Sequence, residues 1–113
     1  MADCIFCMII NGDIPSTKVY EDEYVYAFRD INPQAPVHVL VVPKVHIACT
    51  ADIDESNSVY VAKAYEAIAK IAKAEGLDAG YRVICNCGDD AGQTVKHLHF
   101  HILGGVKMTE KMV

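Results

Sequence analysis

The sequence predicts an α+β domain whose strands form an antiparallel sheet. Three strand-like runs precede Pro43, one long amphipathic stretch covers 58–75, and two more strand-like runs follow it. Consecutive strands with a single helix set among them favour antiparallel pairing over the strict alternation of a parallel α/β fold. With 113 residues, the chain is expected to form one domain, 1–113.

The elements follow in order. Asp3 to Asn11 reads as a short helix: Asp3 can cap it, Ile5, Phe6, Ile9 and Ile10 supply its apolar positions, and Gly12 can close it. Ile14-Pro15-Ser16 is a break. Lys18–Glu21 and Tyr24–Arg29 read as strands around the polar turn Glu21-Asp22-Glu23, a hairpin. Asp30-Ile31-Asn32-Pro33 is a turn. Val37 to Val42 is a β-branched strand stopped by Pro43. The capping types between Asp52 and Ser58 precede a helix running to about Glu75, in which Val61, Tyr65, Ile68 and Ala72 share one face. Ala62, Ala64, Ala67 and Ala69 allow close packing against a partner. Gly76 ends that helix, Tyr81 to Asn86 is a strand, a Gly-containing loop follows, and His97 to Leu103 is the last strand.

Composition excludes several classes. Hydrophobic residues make up 52% and charged residues 22%, as in globular rather than disordered chains. Ten Lys+Arg against fifteen Asp+Glu give a net charge of −5, which argues against a nucleic-acid polymer as partner. One small phosphorylated ligand stays open, because a local site can hold a phosphate with backbone N–H groups and His. No segment approaches the roughly 20 apolar residues of a membrane helix, so no membrane partner is expected. Met1-Ala2-Asp3-Cys4 lacks the start of a signal peptide, so the expectation is a cytoplasmic protein. The five Cys are an odd number with no even disulfide framework. Cys49, Cys85 and Cys87 read as small hydrophobes or loop thiols.

The informative run is His97-Leu98-His99-Phe100-His101-Ile102-Leu103. Strand side chains alternate, so His97, His99 and His101 share one face while Leu98, Phe100 and Ile102 enter the core. Imidazole can act as nucleophile, acid–base or metal ligand, so a three-His metal site competes with a catalytic row. Gly88 and Gly92 flank a loop entering Gln93-Thr94, which can turn N–H groups and a hydroxyl toward an anion.

That run resembles the His-φ-His-φ-His-φ-φ signature of the histidine triad (HIT) superfamily. Cys4-Ile5-Phe6-Cys7, Ile14-Pro15, the stretch 28–38, Val42-Pro43-Lys44-Val45-His46-Ile47, Asn86, Gly88, Gly92-Gln93-Thr94-Val95 and Leu103-Gly104-Gly105 follow the family order. The resemblance implies the HIT fold: a five-stranded antiparallel sheet with one long and one short helix, extended across a homodimer. Gly104-Gly105 is similar to the Hint branch, the nucleoside phosphoramidases.

The implied function is hydrolysis of purine nucleoside 5′-phosphoramidates, and of acyl-adenylates, to the nucleoside monophosphate. His99 is the implied nucleophile, passing through a nucleotidyl-His99 intermediate. His101 would bind phosphoryl oxygens with Thr94 and Val95, His38 would support the triad, and Asn86, Gly92 and Gln93 would contact the nucleotide or leaving group. Asp30 would accept the ribose hydroxyls, and Ile5, Phe6, Ile9, Phe28, Ile31 and Leu40 would form the purine cleft. A dinucleoside polyphosphate hydrolase and a nucleotide-binding adaptor are the alternatives, and no organic cofactor is expected.

Cys4-x-x-Cys7 admits a zinc pair, a redox pair or two core thiols. Zinc-bearing relatives imply the first, with Cys4, Cys7, His46 and His97 holding one structural zinc per chain. Lys96 stands where Hint proteins often carry an aromatic, and 106–113 lacks the Trp of the animal Hint tail, which leaves leaving-group preference open.

Overall fold

The computed structural model describes residues 3–113. The expectation drawn from Met1-Ala2, that no leader starts there, lies outside them. The expected α+β architecture is borne out. A helix α1 (Ile5–Ile10) is followed by strands β1 (Lys18–Glu21), β2 (Val25–Arg29) and β3 (Val37–Pro43). Helix α2 (Ser58–Ala74), β4 (Tyr81–Ile84) and β5 (Phe100–Gly104) complete the fold. The five strands form one antiparallel sheet in the order β1-β2-β3-β5-β4.

The two-residue period of the strands sorts the core into two layers. Val25, Ala27, Val39, Val41, Phe100 and Ile102 face α2, where they meet Ala64, Ala67, Ile68, Ile71 and Ala72. Tyr26, Phe28, Leu40 and Val42 face the other way and are covered by Phe6 and Ile9 of α1. The central strands are therefore buried on both sides, which is why β3 reads as an almost unbroken apolar run. His38, at an even position of β3, falls on the α1 side.

Local chemistry sets the connections. Asp22 closes the first hairpin by accepting the backbone N–H groups of Tyr24 and Val25 and the Tyr20 hydroxyl. Gly12, at φ +83°, supplies the left-handed residue that ends α1. Arg29 at the end of β2 forks onto Glu75 beyond α2, at 2.6 and 3.0 Å.

Several sequence expectations change: β2 begins at Val25 rather than Tyr24, and β3 runs through Pro43 rather than stopping before it. The α1 cap is Cys4, whose Sγ accepts the Cys7 N–H at 3.4 Å, rather than Asp3. The buried face of α2 runs through Ala64, Ala67, Ile68, Ile71 and Ala72; Tyr65 is 51% exposed and Val61 only half-buried, because small residues bring the helix close to the sheet. β4 ends at Ile84 rather than Asn86. β5 begins at Phe100, since β3 offers partners only from Gly104 back to Phe100; Leu98 instead donates its N–H to the Ile47 carbonyl. His97 lies in a bend ahead of the strand.

Candidate functional site

The α1 side of the sheet carries a cleft of about 530 Å³, within the usual range for a small-molecule site. Phe28, Leu40 and His101 lie in register across β2, β3 and β5 and form its floor. Ile5, Phe6 and Ile9 of α1 make one wall, Ile14 to Thr17 another, and Asp30, Ile31, Thr94, Val95 and His99 edge it. Ile31 is 91% exposed and so sits on the rim.

The hydrogen bonds of the imidazoles decide their tautomers. His99 is 6% exposed, and its Nδ1–H donates to the His97 carbonyl at 2.7 Å. Neutral imidazole has one N–H, so Nε2 keeps its lone pair. The Gln34 backbone N–H donates to Nδ1 of His38 at 3.0 Å, which puts the His38 proton on Nε2. That Nε2–H points at Nδ1 of His101, 2.9 Å away, which leaves His101 protonated at Nε2. Asp30 Oδ2 stands 3.4 Å from the His38 Nε2, and its Oδ1 accepts the Asn32 N–H. Burial pushes His38 and His99 below the ordinary imidazole pKa and His101 down to about 4, with Asp30 opposing the shift in all three. The row is thus neutral at pH 7. It presents a lone pair on one ring beside an N–H on the next, with the two ring centroids 5.0 Å apart.

His97 faces elsewhere. It is fully buried, and its Nε2–H donates to the Pro43 carbonyl at 2.9 Å, so its Nδ1 lone pair is free. That Nδ1 lies 3.4 Å from Cys4 Sγ and 3.5 Å from Cys7 Sγ, and Cys7 Sγ lies 3.4 Å from His46 Nδ1. Tetrahedral zinc, with Zn–S of about 2.3 Å and Zn–N of about 2.0–2.1 Å, sets sulfur and nitrogen roughly 3.6 Å apart. The four donor atoms fit that geometry, all lying within 4.8 Å of one another. The carbonyl on the far ring nitrogen is the usual outer-sphere partner of a ligating histidine.

A three-His metal site does not form among the described residues. The donors gather as Cys4, Cys7, His46 and His97 and as Asp30, His38 and His101, and His99 joins neither group. A metal on the second group would need the His38 Nε2 lone pair, hence a proton on Nδ1, where the Gln34 N–H already points.

The model of the HIT domain matches residues 11–108. The chain belongs to the HIT family. Over 112 residues it is 50% identical to the "14 kDa zinc-binding protein" of Zea mays, spanning 92% of this chain and 83% of that protein. It is 43% identical over 104 residues to the "Purine nucleoside phosphoramidase" of Escherichia coli K12, spanning 91% and 87%. Among solved structures, a HIT family hydrolase from Clostridium thermocellum superposes with a TM-score of 0.98 at 52% identity, over 100% of this chain and 99% of that one.

Several residues expected at the HIT site lie apart from the cleft. Gln93 is 3% exposed and turned inward: its Oε1 accepts the Gly88 N–H, and its Nε2 donates to the carbonyls of Ala48 and Val95. It braces the loop, with both N–H groups of its amide committed to backbone carbonyls. Asn86 and Gly92 do not line the cleft either. Gly92, at φ +79°, turns the chain toward Thr94. Lys96 folds back onto Asp89 and the Gln93 carbonyl rather than over the cleft. Sequence alone does not single out Gln34, Pro43 or the choice of His97 as the carbonyl behind His99, because all three act through backbone atoms that nearly any residue could supply.

Proposed function

We infer that the chain hydrolyses purine nucleoside 5′-phosphoramidates to the nucleoside monophosphate through a nucleotidyl-His99 intermediate. The observation that carries this reading is the His99 Nδ1–H held by the His97 carbonyl at 2.7 Å, beside a cleft edged by Thr94 and Val95. A buried imidazole fixed in that tautomer has its nucleophilic nitrogen unprotonated and aimed without rotational cost.

In the first step His99 Nε2 attacks the α-phosphorus, the P–N bond breaks, and the leaving amine takes a proton from solvent water. In the second, water attacks the phosphorus, the P–Nε2 bond breaks, the attacking water gives its proton back to solvent, and the monophosphate leaves with His99 neutral again. The His101 Nε2–H donates to a non-bridging phosphoryl oxygen in both. Its tautomer is set through His38 by the Gln34 N–H, so the donor stands ready before the charge develops. The Thr94 hydroxyl and the N–H groups of Thr94 and Val95 are the other phosphate donors. Asp30 takes the ribose hydroxyls, a carboxylate having room for two donors. Phe6, Ile9, Phe28 and Leu40 hold the purine, with Ile5 and Ile31 toward solvent. The bacterial relative named a purine nucleoside phosphoramidase supports the substrate class.

Cys4, Cys7, His46 and His97 would hold a structural zinc, in line with the name of the maize relative. The metal would tie α1 to the bend whose carbonyl orients His99. One zinc per chain in the purified protein, lost in Cys4→Ser, checks this; metal-free wild-type protein would overturn it. The β4 edge and the exposed side of α2 suit a second copy that continues the sheet, and size-exclusion chromatography with light scattering tests the dimer. No helix among the described residues is long and apolar enough to cross a membrane. A cytoplasmic setting suits a nucleotide hydrolase.

Activity is tested by comparing AMP release from adenosine 5′-phosphoramidate with cleavage of a dinucleoside polyphosphate. Preference for the first, lost in His99→Ala, supports the reading. Preference for the second would move it to the polyphosphate branch. Turnover of neither would favour a binding protein.

A further inference from the structure

Away from the cleft and the Cys4 cluster, another set of reactive side chains meets among the described residues. Cys49 precedes a short 3₁₀ turn, Thr50–Asp52, and Cys87 follows β4. They are 38 positions apart, yet their Sγ atoms lie 3.0 Å from each other. A disulfide needs about 2.05 Å, so roughly 1 Å of approach would close one. Both side chains are only partly covered, so small solutes reach them.

The surroundings make the two thiols unequal. The Thr50 hydroxyl, Cys49 and the backbone N–H groups of Ala51 and Thr50 all favour a thiolate on Cys87 and lower its pKa. Cys49 is raised, first by its hydrogen bond to Cys87, and so remains the thiol of the pair. The neighbouring Cys85 is pushed up to about 11, chiefly by burial, and stays protonated. A partly exposed thiolate beside a second thiol is the arrangement of a redox-reactive pair.

We propose that Cys49 and Cys87 form a peroxide-reactive dithiol whose reversible disulfide fastens the Gly88–Val95 loop to the segment following β3. The Cys87 thiolate attacks one oxygen of hydrogen peroxide, the O–O bond breaks, and Cys87 sulfenic acid and hydroxide result. Cys49 then attacks the Cys87 sulfur. The S–O bond breaks, the S–S bond forms, and the released hydroxide takes the Cys49 proton to leave as water. Two thiols are oxidised by two electrons and one peroxide is reduced. The disulfide would join the segments that Gln93 already ties, since Gln93 bonds Ala48 beside Cys49 and Gly88 beside Cys87. The two thiols therefore lie on segments already held side by side.

The test treats the purified full chain with hydrogen peroxide, blocks remaining thiols, digests without reductant and maps the peptides by mass spectrometry. The expected product links Cys49 to Cys87 and is reversed by dithiothreitol. Cys87 should react at least about tenfold faster than Cys85. In Cys49→Ser, Cys87 should accumulate as a sulfenic acid captured by dimedone. The urea midpoint of the oxidised wild type should rise, and that of peroxide-treated Cys49→Ser and Cys87→Ser should not. Oxidation confined to Cys4 and Cys7, a link through Cys85, or no rise in the wild-type midpoint would overturn the proposal.

Discussion

Replacing Gln93 by Met keeps the side chain's length and removes its polar atoms. The Gln93 amide makes three hydrogen bonds, accepting from Gly88 N–H at 2.9 Å and donating to Ala48 and Val95 carbonyls at 2.7 and 3.1 Å. Each buried backbone group left unpaired costs about 1–3 kcal/mol. Gly88, Ala48 and Val95 are only half-buried, so water can recover part of that, and the low end applies to each. The expected loss is therefore about 3 kcal/mol. With a urea m-value of about 1–3 kcal/mol/M, the unfolding midpoint should fall by about 1 M or more at fixed protein concentration. The loop carrying Thr94 and Val95 would loosen as well, so kcat should fall with stability. Gln93→Glu keeps the acceptor for Gly88 but sets a carboxylate against two carbonyls, and should be worse than Gln93→Met. A Gln93→Met variant with the wild-type midpoint and only a raised KM would refute this reasoning and place Gln93 on the ligand.

Gly104→Ala would set a Cβ 2.8 Å from both Cδ atoms of the buried Leu77; overpacking of that kind costs about 1–3 kcal/mol, and in a urea titration the same substitution should cost clearly less in a Leu77→Ala background than in the wild type. His101 titrates at about 4 when folded and near 6.5 when unfolded, so the unfolded chain binds the extra proton between those values. Its contribution is fully present above pH 6.5 and is lost as pH falls toward 4, with a slope of at most about 1.4 kcal/mol per pH unit. His101→Gln should flatten the urea midpoint against pH across that window; an unchanged slope would count against a neutral buried His101. His38→Phe removes the N–H that fixes the His101 tautomer and should lower kcat by at most about 100-fold with little change in KM, since full loss of a positioned acid–base group costs about 10²–10⁴-fold and here only the positioning is lost.

Much of the fold and part of the site were legible because the strand period and the chemistry coincide. In His97-Leu98-His99-Phe100-His101-Ile102, alternation alone sends Leu98, Phe100 and Ile102 to the α2 layer, and they are found there. It could not show that the first histidine turns away in a bend. That depends on where β3 stops offering partners and on the Pro43 carbonyl that captures the His97 ring. The resemblance implied a nucleotide contact for Gln93, and no local pattern announces the three backbone partners that its amide takes at Ala48, Gly88 and Val95. Tyr65 misled because its spacing fits a core stripe that small residues occupy instead. The Cys49–Cys87 contact joins two loops and carries no local signal at all.

The proposed reaction turns on a bond between His99 Nε2 and the phosphorus. Rapid acid-free quenching of the enzyme during turnover of adenosine 5′-phosphoramidate, followed by peptide mass spectrometry, tests it directly. An adenylyl group is expected on the peptide containing His99, formed at a rate no slower than turnover and absent in His99→Ala. Turnover that persists in a folded His99→Ala protein, or label on another residue with His99 unmodified, would contradict it.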